Sequence, residues 1–109
     1  MIFKYIGYNI ARMKYEIILA RESVQDLKLL DAYQRTKIKD LIEVHLRHGP
    51  TKTRKSRIKR LRGLRHPHYR LMIDDFRIFY DIEENRVEIL SIILKSKAIE
   101  WLKKAGESI

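Results

Sequence analysis

Apolar and polar positions change period twice along this chain. Lys14 to Ala20 (KYEIILA) is rich in β-formers and reads as a first strand. Val24, Leu27 and Leu30 then fall at three-residue steps, and Ile38, Leu41, Ile42 and Leu46 at steps of three and four, the spacing of one helical face. Asp31 marks a break between two antiparallel helices. Gly49-Pro50 stops the second, because proline cannot continue a helix and glycine caps one. From Thr51 to about Pro67 no period is visible, and a basic loop is expected there.

From Tyr69 the period becomes two. Tyr69, Leu71 and Ile73 alternate with Arg70 and Met72, and Phe76, Ile78, Tyr80 and Ile82 alternate with Arg77, Phe79 and Asp81. Asp74-Asp75 is a plausible two-residue turn between them. Glu83-Glu84-Asn85 makes the next turn. Val87 to Leu94 (VEILSIIL) is almost continuously apolar, as expected of a central strand covered on both faces. Ala98 to Ala105 reads as a terminal helix with Trp101 and Leu102 available for packing. The sum is an α+β domain, with helices packed on one face of a sheet that contains a three-stranded meander.

The hairpin turn fixes which side chains share a face. With Asp74-Asp75 as the turn, Ile73 pairs with Phe76, Met72 with Arg77 and Arg70 with Phe79. Arg70, Met72, Arg77 and Phe79 then lie on the outer face, with Arg77 diagonal to Arg70. Tyr69, Leu71, Ile73, Phe76, Ile78 and Tyr80 face the core.

Charge sharpens this picture. The chain has 109 residues, with 24 Lys and Arg against 14 Asp and Glu. Ten of the basic residues and no acidic one lie between Val44 and Ile73, so the net charge of +10 is a local patch and the rest of the chain is balanced. Such a patch suits a polyanion, because each neutralised phosphate releases counterions; the plain alternative is a solvated basic loop. Within it Lys55, Arg57, Lys59, Arg60 and Arg65 are candidates for phosphate contact, with His68 at the lip of the same face. Arg70 and Arg77 together make a phosphate cradle, unless they only solubilise the outer face.

Other chemistry is thinly represented. His66 and His68 flank Pro67 and could act as acid or base near neutral pH, but the spacing is not a metal signature. There is no cysteine, hence no disulfide framework and no Cys-based metal site. There is no glycine-rich phosphate loop and no nucleophile elbow. Carboxylates are scattered, which disfavours a magnesium-dependent nuclease. RNA cleavage here would use a 2′-hydroxyl attacking its neighbouring phosphate, with arginines stabilising the developing charge. No cofactor and no metal is expected. No apolar run approaches the roughly 20 residues of a membrane span, and Met1 to Arg12 is too short and mixed for a secretory signal. A cytoplasmic protein is expected, with residues 1–12 an extension or alternative start and 13–109 a single domain.

Arg60-Leu61-Arg62-Gly63, Tyr69-Arg70-Leu71 and Asp75-Phe76-Arg77-Ile78-Phe79-Tyr80 resemble the RelE/ParE superfamily of bacterial and archaeal toxins, and the resemblance runs from about Met13 to Trp101. It implies two N-terminal helices on a twisted antiparallel sheet, and a toxin held in a hetero-oligomer by an acidic antitoxin. RelE-type members cut messenger RNA on the ribosome without a metal. By position the resemblance assigns catalytic roles to Arg62, Arg70, Arg77 and Lys97, and it makes RNA the expected ligand of Lys55, Arg57, Lys59, Arg60, Arg65 and His68. It departs at Met72, where active members often carry a second basic residue, and at Trp101, the nearest residue to a C-terminal tyrosine that stacks on a base. The alternative reading is a ParE-like toxin that binds DNA gyrase and cuts nothing. A third is a nucleic-acid-binding module without toxicity.

Overall fold

A computed structural model describes residues 14–52 and 57–107. The expected N-terminal extension and Lys55 lie outside the described residues. The chain runs β1 (Glu16–Leu19), α1 (Arg21–Lys28), α2 (Ala32–Leu46), β2 (Ile58–Arg60), β3 (Tyr69–Ile73), β4 (Phe76–Glu83), β5 (Arg86–Leu94), a 3₁₀ turn (Lys95–Lys97) and α3 (Ala98–Glu107). The five strands form one sheet in the order β1-β5-β4-β3-β2.

The break between α1 and α2 is built from side chains that answer exposed backbone groups. The Asp31 carboxylate accepts the Gln34 N–H at 2.7 Å, which caps the start of α2. Arg35, one turn into α2, donates back to the Leu27 and Leu30 carbonyls at 3.1 and 2.7 Å, at and just beyond the end of α1. Ile38, Ile42 and Leu46 recur every four residues and are all buried. With Leu27 of α1 they pack on Leu71 and Ile73 of β3, Ile78 and Tyr80 of β4, and Val87, Ile89 and Ile92 of β5. The two N-terminal helices thus cover one sheet face, as the periodicity predicts.

The hairpin has the register that the turn residues dictate: Ile73 opposite Phe76, Met72 opposite Arg77 and Arg70 opposite Phe79. Asp74 takes the left-handed conformation, with φ of 50°, that a tight two-residue turn requires. The Tyr80 side chain is fully buried, stacks on the Tyr69 ring with centroids 5.5 Å apart, and donates its hydroxyl to the Pro50 carbonyl at 2.7 Å. That bond ties the start of the basic segment to the core. Burial pushes the Tyr80 hydroxyl well above the usual tyrosine range.

Four features differ from the sequence expectation. The basic loop is interrupted by β2, which pairs antiparallel with β3; a three-residue edge strand is too short to leave a period of its own. The sheet is not wholly antiparallel, since β1 runs parallel to β5 from Glu16 beside Arg86 to Leu19 beside Ile89. The apolar run of β5 reflects a bulge: Phe79 faces Ser91 but Tyr80 faces Ile89, so Leu90 is the extra residue. The bulge restores Ile89 and Ile92 to the same face. Burial on both faces is fullest on β4, where Arg77 through Asp81 are consecutively buried, and on β5 it is confined to Ser91 and Ile92.

The reason for that double cover is the fourth difference. α3 does not join the other helices. Its Trp101 stacks on Phe79, with centroids 5.0 Å apart and planes within 2°, on the face opposite Ile78 and Tyr80. Trp101 also donates to the Glu22 carboxylate of α1 at 3.0 Å, around the β5 edge. There α1 takes over from β1. The Ala20 N–H still reaches the Ile89 carbonyl at 2.9 Å, and beyond it the Asp26 carboxylate accepts the Ile92 N–H at 2.8 Å. Burial raises the Asp26 pKa, against the lowering effect of that backbone bond.

Two substitutions test this packing. Tyr80→Phe leaves the buried Pro50 carbonyl without its donor and should cost about 1–3 kcal/mol in a denaturant titration. Glu84 sits at φ 53° in the β4–β5 turn. Glu84→Gly should raise stability slightly, because relief of about 1–2 kcal/mol of left-handed strain exceeds roughly 0.5–1 kcal/mol of added unfolded-state entropy.

Candidate nucleic-acid interface

The outer face begins at the edge of the sheet. β2 pairs Lys59 with Arg70, which pairs in turn with Phe79, so one row crosses three strands. The next row carries Met72 and Arg77. Arg57, just before β2, is joined to it: its carbonyl accepts the Met72 N–H at 2.8 Å, and its guanidinium lies 3.5 Å from the Met72 carbonyl. The edge strand that the sequence reading did not find therefore delivers Arg57 and Lys59 beside Arg70.

Arg70 is half-buried, and its guanidinium pKa is lowered first by burial and then by repulsion from Arg77. The diagonal approach of the two arginines is thus present in the fold. Two cations forced together in a partly desolvated place favour an anion between them. Arg77 departs from expectation in exposure. It lies on the outer face but is only 8% exposed, and its Nη1 donates to the Asp74 and Phe76 carbonyls at 3.1 and 3.0 Å. These bonds fasten the guanidinium to the hairpin end. The first N–H of the 3₁₀ turn, from Lys95, donates to the Asp75 carbonyl at 2.6 Å and brings that turn to the same end, with Lys97 exposed on it.

The remaining candidates are spread more widely. Arg62 and Arg65 are exposed in the segment between β2 and β3. Arg60 has the parity of the core side; it lies over the Tyr69 ring, 5.2 Å from its centroid, and its Nη1 is 3.3 Å from the Tyr69 hydroxyl. It does not share the face of Lys59 and Arg70. His68 is half-buried and bonded to β4: its N–H donates to the Asp81 carboxylate at 2.9 Å, and its Nδ1 accepts the Ile82 N–H at 3.2 Å. Asp81 was not singled out by sequence reasoning. The hairpin register contained the signal, since pairing Tyr69 with Tyr80 sets His68 opposite Asp81.

The family model for the ParE toxin of the type II toxin–antitoxin system parDE matches residues 17–105. The chain belongs to this family. It is therefore a toxin of a type II toxin–antitoxin system. The fold of this ParE-family toxin is also that of RelE-type chains. A chain of the RelB–RelE antitoxin–toxin complex from Methanococcus jannaschii is 21% identical with a TM-score of 0.60, over 77% of this chain and 96% of that one. A chain of the RelBE2 toxin–antitoxin complex from Mycobacterium tuberculosis is 19% identical with a TM-score of 0.63, over 75% of this chain and 92% of that one. No curated protein matches the chain. Among the described residues, no helix of the toxin is long and apolar enough to cross a membrane.

The different settings of the arginines predict different costs of removal. Arg77→Ala should lower the melting temperature by several degrees, as expected for losing about 1 kcal/mol in a domain of this size. Arg62→Ala should change stability by no more than about 0.5 kcal/mol. Equal melting temperatures for the two variants would contradict the fastening of Arg77 to the hairpin.

Proposed function

We propose that this toxin binds the phosphate backbone of messenger RNA on the outer face of β2, β3 and β4, and cuts it within the ribosome. The observation that carries the reading is the convergence of Arg70 and Arg77, with Lys59 paired beside Arg70. Positive charge in a half-buried site is worth more to a phosphate than the same charge in water. In the reaction the 2′-hydroxyl attacks the adjacent phosphorus and the 5′-oxygen leaves, giving a cyclic phosphate. The arginines stabilise the charge that gathers on the phosphoryl oxygens. Arg62, Arg65 and Lys97 supply further phosphate contacts from the rim, and the toxin acts in the cytoplasm, where ribosomes are. In its resting state the basic face is covered by an acidic antitoxin, as the complexes formed by its structural relatives suggest.

A second reading, binding of DNA gyrase without cleavage, is favoured by two observations. Arg77 is nearly buried and already bonded to backbone carbonyls. Met72 occupies the position between the arginines where a further cation would help cleavage.

Induced expression followed by mapping of messenger RNA ends separates the two. Cleavage should appear inside ribosome-covered codons, and Arg70→Ala should reduce it on the order of 10²-fold while the protein stays folded. Growth arrest with a DNA-damage response and intact messenger RNA would select the gyrase reading.

A further inference from the structure

We propose that His66, His68 and Asp81 form a binding site for a divalent transition-metal ion of the zinc class, with Glu88 in reach as a fourth ligand. The site lies on the outer sheet face at the far end of β4 from the hairpin turn, away from Arg77.

Its geometry rests on one carboxylate. Asp81 is 7% exposed, and both histidines turn Nδ1 towards it: His66 Nδ1 is 2.6 Å from Oδ2, and His68 Nδ1 is 3.6 Å from Oδ1. One ligand atom from each of the three residues lies within 4.8 Å of the others. Two ligands of a tetrahedral zinc ion, each about 2.0–2.1 Å from it, stand roughly 3.3 Å apart. Small side-chain movements bring the three atoms to that spacing.

Binding would rearrange two contacts. The Ile82 N–H donates to His68 Nδ1, so an ion held by that ring takes this lone pair from the backbone or uses Nε2. Between His66 and Asp81 a single proton occupies the 2.6 Å gap, and an ion takes its place on binding.

Local charge runs against that of the chain. The toxin carries +10 overall, yet Asp81, Glu83 and Glu88 line a cavity of about 480 Å³ beside His66, with Arg86 the one lysine or arginine among the described residues of its lining. Glu88 is the direct cross-strand partner of Asp81, which places its side chain on the same face at neighbouring distance. Two imidazoles with one or two carboxylates select zinc, cobalt or nickel; magnesium and calcium prefer all-oxygen sets. The ion would join the segment that carries Arg62 and Arg65 to the middle of the sheet, and so act as a clamp and not as a reagent.

The test is titration of the full-length toxin with ZnCl₂ by calorimetry, with Co²⁺ absorption as a reporter of four-coordinate geometry. One equivalent should bind, excess Mg²⁺ should not compete, and saturating Zn²⁺ should raise the melting temperature by roughly 10 °C. His66→Gln, an exposed position, should fold normally and weaken binding about tenfold or more. Asp81→Asn keeps an acceptor for the His68 N–H and should weaken binding as much. His45→Gln with His48→Gln should leave it unchanged. No binding, or binding unaffected by His66→Gln and Asp81→Asn, would overturn the site and leave the His66–Asp81 contact as a hydrogen bond that pins the segment before β3.

Discussion

β4 is hydrogen-bonded on both edges and covered on both faces, and its register with β3 places Arg70, Arg77, His68 and Asp81. The two-residue turn at Asp74-Asp75 sets that register. A slip of one residue would send Arg77 and Phe79 into the helical core and Ile78 and Tyr80 out of it. The Tyr80 hydroxyl bond to Pro50 and the Tyr69–Tyr80 stack oppose such a slip, since both require Tyr80 on the core side. With Tyr80 fixed, Arg77, Phe79 and Asp81 must occupy the outer face, and each meets a different partner there: Arg70, Trp101 and the two histidines.

Much of this could be read from the sequence because its signals are local. Period-two alternation and the turn acids gave the hairpin pairing residue by residue. Asp31 and Gly49-Pro50 marked the helix ends. What stayed hidden depends on distant partners. The three residues of β2 are a strand only because β3 offers an edge. The direction of β1 is decided by β5, not by its own four residues. The bulge at Leu90 shifts the parity of β5, so that Ile89 and Ile92 share the core face while Ser91 is buried on the other. Side-chain parity placed Arg77 on the outer face but could not foresee that it would be buried there and bonded to the hairpin carbonyls.

The same contrast runs through the site. Parity brought Arg70 and Arg77 to one face, and the fold adds Lys59 from the edge strand while removing Arg60 to the other side. The basic patch is therefore not one surface. The row of Lys59, Arg70 and Phe79 lies beside the buried Arg77, while Arg62 and Arg65 stand on the segment that His66 and His68 attach to Asp81. The histidines, isolated in sequence, matter through a carboxylate thirteen residues beyond His68 that only strand pairing brings to them.

On the function proposed above, the outer face of β2, β3 and β4 is the surface that meets RNA. Backbone amide shifts of the labelled toxin, followed while a short single-stranded RNA is added, test it most directly. Shifts centred on Lys59, Arg70 and Phe79 are expected, fading as salt is raised. Shifts confined to the exposed sides of α1 and α2, with the outer face unmoved, would contradict it.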